Sequence, residues 1–206
     1  MILHGSVDTL LNKLPEMFPG AMAALETSKN IKPGLLRYQA MMLFGLAKQF
    51  NRSDANILEL GTAVGYSASM IAQGAPLAKI VTLNPRQGEI ELAQKNLLPW
   101  PNVKVVVMYS WDYLARTPKD SLLAMVFVDG DHNAIARDLP WFNRLVAGGL
   151  FLCHDYTPLG SKKPSPIVYA ELNRLAERLG RPFDVSLIDD GKVGMVGFYR
   201  HEGETA

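Results

Sequence analysis

The sequence predicts an α/β fold: a Rossmann-like, doubly wound sheet, mostly parallel, with a C-terminal antiparallel hairpin and an N-terminal helical cover. Three observations carry this. From residue 51 onward, short apolar β-branched runs alternate with stretches of helical spacing, the pattern of a parallel sheet buried on both faces. The last of these units is followed by two strand-like runs flanking a Gly-containing turn. Finally, 206 residues of 48% hydrophobic composition suffice for one α/β domain and are too few for two of ordinary size. With no linker in the pattern, residues 1–206 read as a single domain, 1–50 being the cover and 51–200 the core.

The cover reads as broken helix. Val7 to Leu14 is a short amphipathic piece ended by Pro15, Met22 to Glu26 another, and Lys32-Pro33-Gly34 a turn before a long apolar helix from Leu35 to Phe50. Five strand runs follow: Ile57–Leu60, Lys79–Leu83, Val103–Val107, Leu123–Val128 and Leu150–Cys153. Helical spacing fills the gaps at Tyr66–Gln73, Glu89–Leu97, Trp111–Ala115 and Ala134–Leu145. Ile167 to Leu179 is a helix stopped by Gly180 and Pro182. Phe183–Ile188 and Val193–Tyr199, joined through Asp189-Asp190-Gly191-Lys192, read as the closing hairpin.

Composition narrows the function. A formal net charge of +1 and the lack of any basic run with interleaved aromatics argue against a nucleic-acid partner. The single cysteine, Cys153, cannot close an intrachain disulfide, no zinc-type Cys/His spacing occurs, and a small buried apolar role suits it. The N-terminal residues lack a signal-peptide profile, and the most apolar window, Leu35–Ala47, is shorter than the roughly 20 residues that span a bilayer. A cytoplasmic protein with no membrane partner is expected. The apolar N-terminal helix leaves two packings open, against a second copy in a homodimer or against its own sheet.

The strongest local motif is Glu59-Leu-Gly61-Thr62-Ala-Val-Gly65-Tyr66-Ser67, where the first core strand turns into a helix. Glycines there let the backbone approach a ligand closely. A dinucleotide loop wants G-x-G-x-x-G to cradle a pyrophosphate. With glycine at 61 and 65 and none between, this loop better suits a nucleoside without phosphates, or else is an incidental Gly-rich turn.

Glu-Leu-Gly-x-x-x-Gly-Tyr-Ser resembles motif I of the class I S-adenosylmethionine-dependent methyltransferases, in the form used by the catechol and caffeoyl-CoA O-methyltransferases and by the bacterial macrocin-type enzymes. Met125-Val-Phe-Val-Asp129-Gly-Asp131-His132 is similar to their fourth-strand motif, and Gly148-Gly149-Leu-Phe-Leu-Cys-His154-Asp155-Tyr156 to their fifth. The similarity runs from about Leu35 to Tyr199.

The resemblance implies a set of S-adenosylmethionine contacts: Glu59, Gly61, Thr62, Gly65, Tyr66 and Ser67 in the loop, then Asn84, Ser110, Trp111 and Asp129. Asn84 stands where those families place an acid for the ribose hydroxyls, and an amide forms weaker bonds there than a carboxylate. Trp111 has two readings, stacking on adenine or core packing. Asp129, His154 and Asp155 form a candidate metal set. Two carboxylates suit Mg²⁺ or Mn²⁺, while an imidazole favours a borderline ion such as manganese, iron or zinc, or no metal at all. His132 falls where relatives keep a general base, and imidazole can take a proton from a small-molecule hydroxyl at neutral pH; its alternative is a helix-start residue bonded to a neighbouring carboxylate such as Asp131. The segment Thr157–Pro166 is read as a lid or a solvated connector. Two rival functions stay open: a metal-dependent hydrolase using Asp129, Asp131, His132, His154 and Asp155, and a catalytically weakened cofactor-binding module, for which Asn84 and His154 speak.

Overall fold

In the computed structural model, which describes residues 1–157, 165–189 and 194–206, the apolar runs from residue 51 onward become the strands of one sheet. They are β2 (Asn56–Leu60), β3 (Lys79–Asn84), β4 (Val103–Val107), β5 (Leu123–Val128) and β6 (Leu145–Tyr156). β7 (Val185–Asp189) and β8 (Gly194–Tyr199) complete the C-terminal side. The strand order is β1-β7-β8-β6-β5-β2-β3-β4. Among the described strands only β8 runs against its neighbours, pairing antiparallel with both β6 and β7. Helices α4 (Tyr66–Gly74), α5 (Gln87–Asn96) and α6 (Ser110–Arg116) carry the chain between the parallel strands, and α8 (Pro166–Leu179) precedes β7. The turn expected at Asp189–Lys192 and the segment expected at Thr157–Pro166 lie almost wholly outside the described residues.

The chain builds β2, β3 and β4 outward in one direction, then returns to lay β5 and β6 on the other side of β2. The strand order therefore reverses between β2 and β5. Loops leaving the carboxyl ends of those two strands diverge, and the crevice between them is where open α/β sheets hold ligands.

The N-terminal segment differs in two ways from the purely helical expectation. Ile2–Gly5 form an edge strand, β1, parallel to β7 in the register Ile2↔Ser186 to Gly5↔Asp189, with His4 Nε2 2.9 Å from Ser186 Oγ. Four residues are too few to show a strand period, and their partner lies more than 180 positions away. In addition, α1 (Val7–Met17) runs through Pro15 instead of ending there. Proline removes one backbone donor, but burial of Leu10 and Leu14 holds the helix on the core, each burial contributing roughly 1.5–3 kcal/mol.

α2 (Ala21–Thr27) and α3 (Arg37–Lys48) complete the cover. Tyr38 through Ala47 of α3 are all buried. This helix packs within its own chain, against α1, α2 and α4. A second core on the opposite face of the sheet joins Trp141, Phe142 and Phe151 to Val168 and Leu172 of α8.

The helix expected over Ala134–Leu145 is broken into a 3-10 turn (His132–Ala134), the short α7 (Ile135–Asp138) and a second 3-10 segment (Leu139–Arg144). Pro140 ends α7 because it offers no N–H to continue the helical ladder, although Leu139 before it keeps helical dihedrals. β6 also starts earlier than the apolar run suggests. Its pairing with β5 shifts between Leu123 and Met125 to absorb the glycines at 148 and 149. Among the described residues, no helix is long and apolar enough to cross a membrane.

Candidate active site

A cavity of about 460 Å³ opens over the carboxyl ends of β2, β3, β4 and β5, within the range of small-molecule sites. Gly61, Thr62, Tyr66, Ser67, Asn84, Ser110, Trp111 and Asp129, all expected to contact a cofactor, line it. Glu59 and Gly65 stand behind that lining.

The loop after β2 is shaped by close backbone approach. Gly61 has φ +107°, and a Cβ there would lie 2.1 Å from the Asp129 carbonyl oxygen. Asp129 N–H in turn donates to Leu60 O at 2.8 Å, so the ends of β2 and β5 are stitched together beneath the cavity. Gly65, at φ +92°, caps the start of α4.

Glu59 is fully buried under this loop and braces it. Thr82 Oγ1 donates to Glu59 Oε2, and Thr62 Oγ1 lies 2.6 Å from Thr82 Oγ1. Burial raises the Glu59 pKa from 4.5 to about 7, against the opposing pull of the Ser67 and Thr82 hydroxyls. Because its side chain is buried, Glu59 reaches the cavity through its hydroxyl neighbours: Ser67, and Thr62 by way of Thr82.

Around the rim, Asn84 donates from Nδ2 to Glu89 Oε2 at 2.7 Å and accepts Arg86 N–H at 3.0 Å. Ser110 donates to Asp138, whose pKa burial raises to about 6. Trp111 is stacked on Tyr109 at a centroid distance of 4.6 Å, and Arg137 Cζ sits 4.7 Å from its ring centroid. Both partners compete with any base for that ring, and half-exposed Tyr109 adds a second aromatic surface. Lys32, Arg86, Glu89, Tyr109 and Asp138 also line the cavity. The sequence reading missed them because they sit in loops or first helical turns that carry no motif; only the closeness of Glu89 to Asn84 along the chain offered a signal.

Beside the cavity a second group converges at the ends of β5 and β6. His154 Nδ1 lies 3.0 Å from Asp129 Oδ1 and 3.2 Å from Asp155 Oδ2, while its Nε2 lies 3.1 Å from Gln39 Oε1. His132 Nε2 pairs with Asp155 Oδ2. His132 therefore bonds Asp155, and it is Asp131 that caps the 3-10 turn through Asn133 N–H. Burial pulls the His154 pKa down, but the two carboxylates overcome it and raise it to about 10. Burial likewise opposes ionisation of Asp155, yet hydrogen bonds and charge from His132 and His154 hold it well below the ordinary carboxylate range. Asp155 adopts φ +61°, a conformation rare outside glycine that concentrates at functional sites.

The ligand atoms of Asp129, His154 and Asp155 all lie within 4.8 Å of one another. Two carboxylate oxygens and an imidazole nitrogen can hold a divalent ion, with Gln39 orienting the ring from behind as partners of metal-bound histidines do.

Residues 58–156 match a family model described as a methyltransferase domain. This stretch holds the β2 loop, the crevice and the His132, His154 and Asp155 cluster. An uncharacterized protein of Acanthamoeba polyphaga mimivirus is 27% identical over 146 residues, covering 65% of this chain and 65% of that protein. The chain thus spans just under two thirds of that relative's length. Among solved structures, the chain superposes on a cofactor-bound protein from MTB, with TM-score 0.66, 21% identity and 91% of each chain covered. It also superposes on the O-methyltransferase TomG of Streptomyces achromogenes, solved with SAM, with TM-score 0.64, 20% identity and 89% of each chain covered. At these identities the likeness establishes the Rossmann-like fold.

Proposed function

We propose that this protein is an S-adenosylmethionine-dependent O-methyltransferase that methylates a hydroxyl of a small molecule, with His132 as general base. The observation that carries the reading is the His132–Asp155 pair, set beside a nucleoside-sized cavity at the switch point of a methyltransferase domain. S-adenosylmethionine, when bound, supplies a methyl group already activated on a sulfonium. Its fit rests on the cavity volume, the aromatic wall of Tyr109 and Trp111, and the acidic rim.

The residues divide the remaining work. Asp155, kept anionic, accepts Nε2–H of His132 and so fixes the tautomer that leaves Nδ1 free to take a proton. The acceptor O–H gives that proton to Nδ1 as its oxygen bonds to the methyl carbon and the carbon–sulfur bond breaks. The products are the methyl ether, S-adenosylhomocysteine and protonated His132. The Gly61–Gly65 loop and the cavity wall hold the reacting atoms in line. Asp129, His154 and Asp155 would hold a divalent ion, Mn²⁺ in preference to Mg²⁺ given the imidazole, which would bind the acceptor oxygen and lower its pKa.

His132→Ala is expected to lower methyl transfer to a phenol or sugar hydroxyl by about 10²- to 10⁴-fold, with S-adenosylhomocysteine affinity unchanged by calorimetry. Wild-type turnover in His132→Ala discards the base assignment. Failure of the wild-type chain to bind the methyl donor discards the whole reading.

A further inference from the structure

We infer that Glu89 is the group that grips the ribose diol of the bound nucleoside, a carboxylate supplied from the first turn of α5 because the end of β3 carries an amide. This rests on the methyl-donor reading above.

Sheet order sets the sequence of chemistries along the cavity. Asp129 lies at the end of β5, the Gly61 loop follows β2, Asn84 ends β3, and Tyr109 and Trp111 follow β4. A flat base needs the aromatic wall at β4, while a sulfonium with its amino-acid tail is served by the β2 loop and Asp129. The sugar joins those two parts, so it falls at the end of β3.

A vicinal diol presents two adjacent donors and is best met by one carboxylate accepting both. Asn84 does not offer that. Its Oδ1 is engaged by Arg86 N–H, and its Nδ2 donates to Glu89 Oε2. Glu89 is held at this point from two sides, by Asn84 at 2.7 Å and by Arg86 Nη1 at 3.3 Å from Oε1. Its side chain is 39% exposed and lines the cavity, and each oxygen retains capacity to accept. The three other cavity-lining carboxylates among the described residues have different partners: Asp129 faces His154, Asp131 caps Asn133, and Asp138 takes the Ser110 hydroxyl. Asn84 is thus a positioning residue, and Glu89 bears the charge that binds.

The test is isothermal titration of the full chain with S-adenosylhomocysteine and with its analogue lacking both ribose hydroxyls. Glu89→Gln is expected to weaken S-adenosylhomocysteine about tenfold to a hundredfold and to leave the dideoxy analogue nearly unchanged. The swap Asn84→Asp with Glu89→Gln, which puts the acid back at the strand end, is expected to recover most of the loss. Wild-type affinity in Glu89→Gln, or equal losses for both ligands, overturns the assignment while leaving the methyl-donor reading intact. A wild-type chain that binds neither ligand overturns both.

Discussion

Glu59 tests whether the brace beneath the motif loop has been read correctly. Burial lifts its pKa from 4.5 to about 7, so the folded chain retains this proton to a higher pH than the unfolded chain does. Between those two values unfolding releases the proton, and stability from this group falls as pH rises. The contribution is full below pH 4.5, is lost through the window, and is level above about 7. At 1.36 kcal/mol per pKa unit, the swing is roughly 3 kcal/mol. Glu59→Gln keeps an oxygen for Thr82 Oγ1 and an amide that can reach Ser67, but does not titrate. Relative to wild type, the variant is expected to gain roughly 3 kcal/mol between pH 4.5 and pH 8, or roughly 6–12 °C in Tm for a chain of this size. Urea denaturation of both proteins at half-unit pH steps measures it, and the difference between the two curves isolates this residue from every other titrating group. Parallel stability curves across that window would refute the buried, protonated brace.

Because the proposed base, His132, can accept a proton only when neutral, and Asp155 raises its pKa above 6.5 with burial opposing, the rate of methyl transfer is expected to climb with pH through a midpoint above 6.5. In Asp155→Asn that midpoint moves toward acid and the plateau falls at least about tenfold, as a pH–rate profile will show; an unmoved midpoint separates the two residues. Gly61→Ala meets both a forbidden φ and the Asp129 carbonyl, and should cost at least about 2 kcal/mol in urea denaturation; a loss within about 0.5 kcal/mol contradicts the close approach of β2 and β5. Asp155→Ala should abolish stimulation by added Mn²⁺ in a chelator-treated assay, and stimulation equal to wild type removes Asp155 from the ion site.

The parts of the fold that the sequence made legible are those with local causes. The unbroken apolar run Leu123–Val128 matches its strand end to end, because a strand buried on both faces needs no partner to declare itself; Val103–Val107 matches as well, its valines marking a half-exposed edge strand that Lys104 interrupts. β1 was not legible, since Ile2–Gly5 acquire their strand character only from β7. Pro15 misled in the opposite direction, as tertiary burial of Leu10 and Leu14 outweighed a local stop signal. The same division holds at the site. Gly61 and Asp129 announce themselves by motif, and the structure brings them together with Asn84, Ser110 and Trp111. Gln39 gave no sign, because its role depends on α3 folding across the end of β6, a contact between residues 115 positions apart. Glu59 belongs to the motif, yet which way its carboxylate points depends on Thr82 of the neighbouring strand.

Gln39 also ties the N-terminal cover to the electrostatics of the reacting centre. Its Oε1 accepts Leu36 N–H at 3.0 Å at the start of α3, so it is an oxygen that faces His154 Nε2, and that nitrogen must donate. Nδ1 is then left between two carboxylate oxygens. A bare lone pair there would face two anions in a site where charge is poorly screened. The arrangement therefore demands a positive charge at Nδ1, carried by a proton or by a metal ion in its place, and a metal ion can enter only as that proton leaves. The cover is in this way part of the proposed site: α3 fixes the ring that decides which cation stands between Asp129, at the edge of the cavity, and Asp155, the partner of His132.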